Sequence, residues 1–107
     1  MILDTNSLFS EAKAIFKGEV EIESIDNMLL KRYCVLDHHP EATKIEYKLT
    51  RLFAIHNYKD GYMWLRYTQT AYDKSGGLIY GAYNIPIKWQ IHKEDGEWRV
   101  IFVWESP

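Results

Sequence analysis

Two polar side chains, Arg51 and Gln69, interrupt an otherwise apolar set of strand positions on one face of the predicted sheet. In the predicted register they face each other, and Tyr83 lies next to Gln69, so the three form one row. A guanidinium, an amide and a phenol at one end of an apolar cavity suit a carboxylate or another polar head group. Structural arginines also extend along helices to reach an acid or solvent. The row therefore predicts either a ligand-binding site, also lined by Tyr47 and Tyr67, or a structural arginine.

Residue types that catalyse reactions are present, but they do not form a recognisable motif. Asp73 is the one strand acid with the parity of the helix-covered face, and it lies at a strand end. A general base needs both reach and a tuned pKa, so Asp73 is a weak catalytic candidate.

The four histidines do not have the spacing of a metal site. His38 and His39 precede a proline, while His56 and His92 are expected on the outer face, two strands apart. A helical zinc site needs histidines at i and i+4. Cys34 is the single cysteine, which favours an inert buried thiol. We therefore predict no metal site and no cofactor.

Helical periodicity dominates the first third of the chain. Residues 4–7 are rich in N-cap types, and apolar positions then recur at helical spacing as far as Gly18, a natural stop. Residues 19–23 alternate and favour a short strand. A second helix follows a cap at Ser24 or Asp26 and ends before a histidine–proline step, because proline disfavours a helical residue before it. The predicted helical part spans residues 4–37.

From Lys44 the period changes to two, which predicts strands at 44–57, 62–73, 78–93 and 97–105. Glycine-containing turns join them as tight hairpins. Pairing Tyr58 with Tyr62, and closing the last hairpin at Asp95-Gly96, aligns the hydrophobic sets on one face. Besides the polar row, the face that the helices should cover carries Ile45, Tyr47, Leu49, Phe53, Ile55, Met63, Leu65, Tyr67, Ala71, Ile85, Ile87, Trp89, Ile91, Trp98, Val100, Phe102 and Trp104.

The opposite, outer face is mixed in character. Trp64 lies near its centre, and four basic residues surround it. An apolar centre with a charged rim is the anatomy of a protein interface, although isolated exposed apolar residues are also normal on a protein surface. The outer-face apolar set includes Leu52, Ala54, Ile101 and Val103. The residues predicted for the interface are Trp64, Arg66, Pro86, Lys88 and Ile101.

Composition limits the partners. The 107 residues predict a single domain, 1–107, and the 15% aromatic share favours a sheet-rich protein with a pocket or an adhesive face. The net charge is −2 with no basic block, which argues against nucleic acid. No apolar run approaches the ~18 residues of a membrane span, and no signal peptide is visible. A cytoplasmic protein without a membrane partner is therefore expected.

Helices followed by a curled antiparallel meander, which closes on residues 91–100, resemble the nuclear-transport-factor-2-like superfamily with its cystatin-like cone. The similar stretch is roughly Ile45 to Trp104. The resemblance implies an α+β fold, with N-terminal helices packed on a curved four-stranded sheet, and a homodimer formed through that sheet. Enzymes of the superfamily place an acid or a histidine inside the cone, whereas this inward set has no mid-strand carboxylate.

Three hypotheses follow. The first is a non-catalytic cone domain that binds a small apolar or amphipathic ligand, or a protein partner. The second is a small isomerase-like or cyclase-like enzyme that uses Asp73 or a tyrosine for proton transfer. The third is an immunity or accessory protein that caps a partner.

Overall fold

The structure, a computed structural model, describes residues 5–105 and confirms the α+β class. A helical layer packs on one face of an antiparallel sheet whose strand order is β1-β2-β3-β4. The helical elements are α1 (Asn6–Lys17), two 3₁₀ segments (Ile22–Ser24 and Met28–Tyr33) and α2 (Val35–His38). The strands are β1 (Lys44–His56), β2 (Asp60–Tyr72), β3 (Leu78–Glu94) and β4 (Glu97–Glu105).

Helix α1 forms where the sequence predicts it. Its buried stripe consists of Leu8, Ala12, Ile15 and Phe16, at the spacing of one helical face. Gly18 ends the helix in the left-handed conformation, with φ at 83°, because a residue without Cβ adopts that conformation at little cost. Within residues 5–105, no helix is long and apolar enough to cross a membrane.

The second helical region is not the single helix that the pattern predicts, and the short strand expected at 19–23 is also wrong. Asn27 is extended, with φ at −83° and ψ at 101°, and it separates the two 3₁₀ segments. Its side chain is 5% exposed and faces the main chain of Val100 on the edge strand β4. With the amide oriented to satisfy both groups, Asn27 accepts from Val100 N (2.7 Å) and donates to Val100 O (3.2 Å). This tertiary contact overrides the local helical preference.

The sheet follows the predicted strand boundaries closely, but its ladders contain bulges. Leu52 is an extra residue between the pairs Arg51↔Leu65 and Phe53↔Trp64. A second bulge, in β3, places two residues opposite Thr68, and a third makes Ile101 the extra residue in β4. A fourth leaves Ile79 as an extra residue near the start of β3. A bulge shifts all later side chains of its strand by one position relative to the partner strand.

The bulges correct the predicted faces. Beyond Leu52 and Ile101, the large side chains of β1 and β4 turn from the helices to the outer face, while their small neighbours turn inward. Four residues predicted inward are exposed: Phe53 (53%), Ile55 (54%), Phe102 (49%) and Trp104 (42%). Ala54 and Val103 were predicted outward. Ala54 is instead buried, and Val103 pairs with the buried Trp89. The core therefore lies between α1, the 3₁₀ segments and the middle of the sheet.

Candidate functional site

The predicted row of Arg51, Gln69 and Tyr83 does not form. Arg51 is opposite Leu65 in the ladder, and the β3 partner of Gln69 is Ala82. Tyr83 lies in the second bulge and is 59% exposed, so it does not reach the space under the helices. The prediction is wrong for two reasons. Ile55, and not Tyr58, pairs with Tyr62, which separates Arg51 from Gln69. The second bulge adds one residue to β3 between Ala82 and the pair that follows it, which moves Tyr83.

Gln69 instead joins the two layers of the fold. It is 1% exposed, and its Nε2 donates to the carbonyl oxygens of Phe16 (2.9 Å) and Tyr33 (3.1 Å). Those carbonyls lie at the ends of α1 and of the second 3₁₀ segment, where helical backbone acceptors lack intrahelical partners. Both amide hydrogens are therefore used by main-chain acceptors, and neither is available to a ligand.

Arg51 lies against the start of α1. Its guanidinium donates to Thr5 Oγ1 (3.2 Å) and stands 4.6 Å from the ring centroid of Phe9. Partial burial lowers the pKa of Arg51 from its usual range. These contacts correspond to the structural alternative for this arginine.

Asp73 lies in the β2–β3 turn and not in the core. Its Oδ1 accepts from the backbone N–H of Ser75 (2.9 Å), the hydroxyl of Ser75 (2.7 Å) and the N–H of Gly77 (2.9 Å). The hydroxyl of Ser75 is the largest cause that lowers the pKa of Asp73, and the N–H of Gly77 follows. A carboxylate stabilised in its charged form is a poor general base.

The buried tyrosines are also unsuited to proton transfer. Burial raises the pKa of Tyr33 to about 12, against an opposing hydrogen bond from Trp89 Nε1 (3.2 Å). Burial, with the nearby Glu105 carboxylate, raises the pKa of Tyr67 further. Tyr67 Oη donates to Glu105 Oε2 at 3.3 Å. Tyr47 is half-buried opposite Gln69. Tyr33 and Tyr67 therefore hold their protons at neutral pH.

His56 and His92 lie on opposite faces of the sheet. His56 follows the first bulge and lies on the helix-covered face of the sheet, with its ring 4.7 Å from that of Trp98. Its predicted outer-face position is therefore wrong. His92 lies on the outer face, where its Nδ1 is 2.7 Å from Asp60 Oδ1. Across residues 5–105, no group of three or more histidine, cysteine, aspartate or glutamate residues could hold a metal ion.

The most distinctive surface is on the outer face of the sheet. Register partners form one row across all four strands, Phe53–Trp64–Lys88–Trp104, and the adjacent row is Ile55–Tyr62–Gln90–Phe102. We call these two rows the aromatic platform. Each row has one residue from every strand, and neighbouring strands lie about 4.8 Å apart, so each row spans the width of the sheet.

The platform rings contact one another. Ring centroids are separated by 5.6 Å for Phe53–Trp64, 6.3 Å for Tyr62–Trp104 and 4.3 Å for Phe102–Trp104. Phe53 and Trp64 are a cross-strand pair, whereas Phe102 and Trp104 lie two residues apart on β4. Aromatic contacts on one sheet face stabilise the sheet. The large side chains are thus held in place before any partner binds.

Lys88 lies at the centre of the platform. Its Nζ is 4.6 Å from the ring centroid of Tyr62, 5.3 Å from that of Trp64 and 4.7 Å from that of Trp104. An ammonium among aromatic faces is attracted by the negative potential of the rings. Lys88 therefore contributes a positive charge without breaking the continuity of the platform.

Polar rows border the platform on both sides. Thr50, Arg66 and Pro86 are register partners beyond the Trp64 row. The opposite border begins with the pair Asp60 and His92. Of the residues predicted for the interface, Trp64 and Lys88 lie within the platform, Arg66 and Pro86 lie at its border, and Ile101 is the exposed β4 bulge residue.

Sequence reasoning missed half of the aromatic platform. Phe53, Ile55, Phe102 and Trp104 have inward parity in unbroken strands, and only a bulge moves them outward. The density of aromatic residues near the ends of β1 and β4 was the available signal, because the core beneath one sheet face cannot hold all of them.

Comparison with known proteins finds no family model that matches the chain and no curated protein with a significant match.

Proposed function

We propose that this chain is a non-catalytic cone domain of the nuclear-transport-factor-2-like kind, and that it associates with a second copy of itself through the aromatic platform. The observation that carries the proposal is the pair of cross-strand rows, in which four side chains are about half exposed: Phe53, Ile55, Phe102 and Trp104. Exposed apolar surface of this continuity marks an interaction site.

The size of the surface supports an interface with another protein. Four strands and four successive outer rows, with borders included, cover roughly 500 Å² in projection. Standing side chains increase the accessible area above the projected area, toward the ~800 Å² that each partner buries in an ordinary interface. Two aromatic rows with polar borders match the anatomy of such interfaces.

A second copy is favoured as the partner because the platform can pack against the same surface of another copy. Apart from Lys88, its side chains are uncharged. The Lys88 ammonium lies against the aromatic rings of its own chain, and the two-fold arrangement has to keep the two Lys88 charges apart. A two-fold axis lying between the sheets brings the same patch of both copies together. The superfamily resemblance adds support, since cone domains of this kind often pair through their sheets.

The competing small-molecule hypothesis needs three polar side chains that point into a buried site, and none of them is placed for that role. Gln69 donates to two main-chain carbonyls, Arg51 contacts α1, and Tyr83 lies outside the core. The enzyme hypothesis has no suitable base in Asp73, because that carboxylate is held by its own turn.

Replacement of Trp64 tests the proposal. We expect the wild-type protein to be a dimer by light scattering at high micromolar concentration, and Trp64→Glu to be a folded monomer by light scattering and circular dichroism. A central tryptophan should contribute ~2 kcal/mol or more to association. The matched control is Tyr58→Glu, because Tyr58 is 85% exposed in the β1–β2 turn, outside the platform.

A monomeric wild-type protein contradicts the self-association. Equal dimerisation of Trp64→Glu and Tyr58→Glu contradicts the assignment to the platform. A monomer that forms a complex of defined stoichiometry with another protein would instead favour the accessory hypothesis.

A further inference from the structure

A small pocket lies on the outer face, beyond the Arg66 border of the aromatic platform. Its volume is about 110 Å³, and the side chains that matter are those of Lys48, Thr50, Arg66, Thr68 and Asn84. None of the described residues that line it carries a carboxylate. The pocket therefore presents cations, hydroxyls and an amide to one small space.

The strand register explains why these groups converge. Lys48 is the direct partner of Thr68, and Thr50 is the direct partner of Arg66, so cations and hydroxyls alternate across two strands. The bulge at Leu52 lies on one side of the group, and the bulge that contains Asn84 lies on the other. Bulges commonly re-aim side chains and interrupt pairing.

The cationic side chains of the pocket have no partner within residues 5–105. Lys48 and Arg66 lie on adjacent strands, and neither has an ion-pair partner in this part of the chain. The backbone N–H of Asn84, whose φ is 56°, donates to Thr68 Oγ1 at 2.9 Å. Since the oxygen of Thr68 accepts that bond, its hydroxyl hydrogen remains available to donate to another group.

We propose that this pocket binds a phosphate group, either free or carried by a small organic molecule. Its volume corresponds to about four water molecules at ~30 Å³ each, a suitable size for a tetrahedral oxyanion. The Arg66 guanidinium matches two phosphate oxygens, while Lys48 adds a point charge. Two adjacent like charges repel each other, and a bound anion relieves that repulsion.

Amide NMR titration tests the site directly. Inorganic phosphate and O-phosphoserine are added in separate titrations, each against chloride at constant ionic strength. We expect saturable shifts of the Thr68 and Asn84 amide signals, with Kd in the millimolar range or below. Saturation by inorganic phosphate assigns the site to the free ion, and saturation by O-phosphoserine alone assigns it to an organic phosphate.

Single charge removals supply the matched comparison. Lys48→Gln and Arg66→Gln should each weaken phosphate binding about tenfold or more, because hydrogen bonds to charged groups are strong. Lys59→Gln removes the same charge from the opposite end of the hairpin and should leave Kd unchanged. Trp64→Gln, which adds no charge beside Arg66, should keep the phosphate shifts, since one chain holds all the donors.

Three results would overturn the phosphate site. They are the absence of saturable shifts with either compound, equal weakening by Lys59→Gln and Arg66→Gln, and loss of the shifts in Trp64→Gln. The amide spectrum of each variant shows whether it is folded, so a loss of binding is separated from a loss of structure.

Discussion

Lys88 and Trp104 are direct cross-strand partners, and the Lys88 ammonium lies 4.7 Å from the Trp104 ring centroid. This relationship exists only because Ile101 is an extra residue in β4. Without that bulge, Trp104 would face the helices and the platform would end at β3. One inserted residue therefore moves a tryptophan from the core side of the sheet to its surface.

Gln69 should be essential to stability. Gln69→Leu keeps a similar volume but leaves the Phe16 and Tyr33 carbonyls without their donor, and each unsatisfied buried group is costly. We expect a loss of about 2 to 4 kcal/mol in the free energy of unfolding, measured by urea denaturation. Gln90→Leu, on the outer face, is the control and should change stability by less than about 0.5 kcal/mol. Similar effects of both changes would contradict this role for Gln69.

Asn27 should hold the 3₁₀ region on the edge of the sheet. Asn27→Ala removes both contacts to the Val100 main chain, and we expect a loss of about 1 to 3 kcal/mol in the same assay. Hydrogen exchange of the Val100 amide should also accelerate, since its acceptor is lost. The exposed neighbour Asp26, replaced by Ala, provides the control. An unchanged exchange rate in Asn27→Ala would show that Val100 has another acceptor.

Tyr33 should make the fold sensitive to alkali. Its folded-state pKa of about 12 exceeds the unfolded value of 10.0, so the stability contribution is complete below pH 10 and is lost as pH rises toward 12. Over that interval the free energy of unfolding should fall by up to ~1.4 kcal/mol per pH unit from this group. Tyr33→Phe should flatten the decline, whereas replacement of the exposed Tyr58 by Phe should not. Parallel declines in all three proteins would refute the assignment.

Asp73 should contribute to stability through its turn, with the opposite dependence on pH. Its folded-state pKa lies below the ordinary value of 3.8, so the contribution is present above about pH 4 and is lost as pH falls through the folded pKa. Asp73→Asn should therefore lower Tm at pH 7, and the difference from wild type should shrink in acid. A difference in Tm that stays constant from pH 7 to pH 2 would exclude this carboxylate as its source.

The sequence specified the elements well where local signals agree. Residues after Lys44 alternate, glycine marks the turns, and the last hairpin closes at Asp95-Gly96 with the predicted pairing Ile91↔Val100. Helix α1 and its end at Gly18 were equally predictable from the sequence. Period, turn chemistry and capping all favour one structure in these segments.

The faces of the strands were less predictable, because bulges depend on tertiary packing. Leu52 and Ile101 are ordinary strand residues, and no glycine or proline marks either position. Pro86 did indicate a bulge in β3, but the two irregularities of that strand fall earlier, at Ile79 and at Tyr83 and Asn84. Each bulge reverses the parity that follows it, so Tyr83 and half of the platform were misplaced. The ligand row also failed because Ile55, and not Tyr58, pairs with Tyr62.

The most direct test of the central claim is isotope-filtered NMR on an equimolar mixture of labelled and unlabelled wild-type protein. If two copies meet through the platform, intermolecular contacts should involve the indole rings of Trp64 and Trp104, and they should be absent for residues of α1. Intermolecular contacts confined to the helical layer, or none at concentrations where light scattering reports a dimer, would contradict the account.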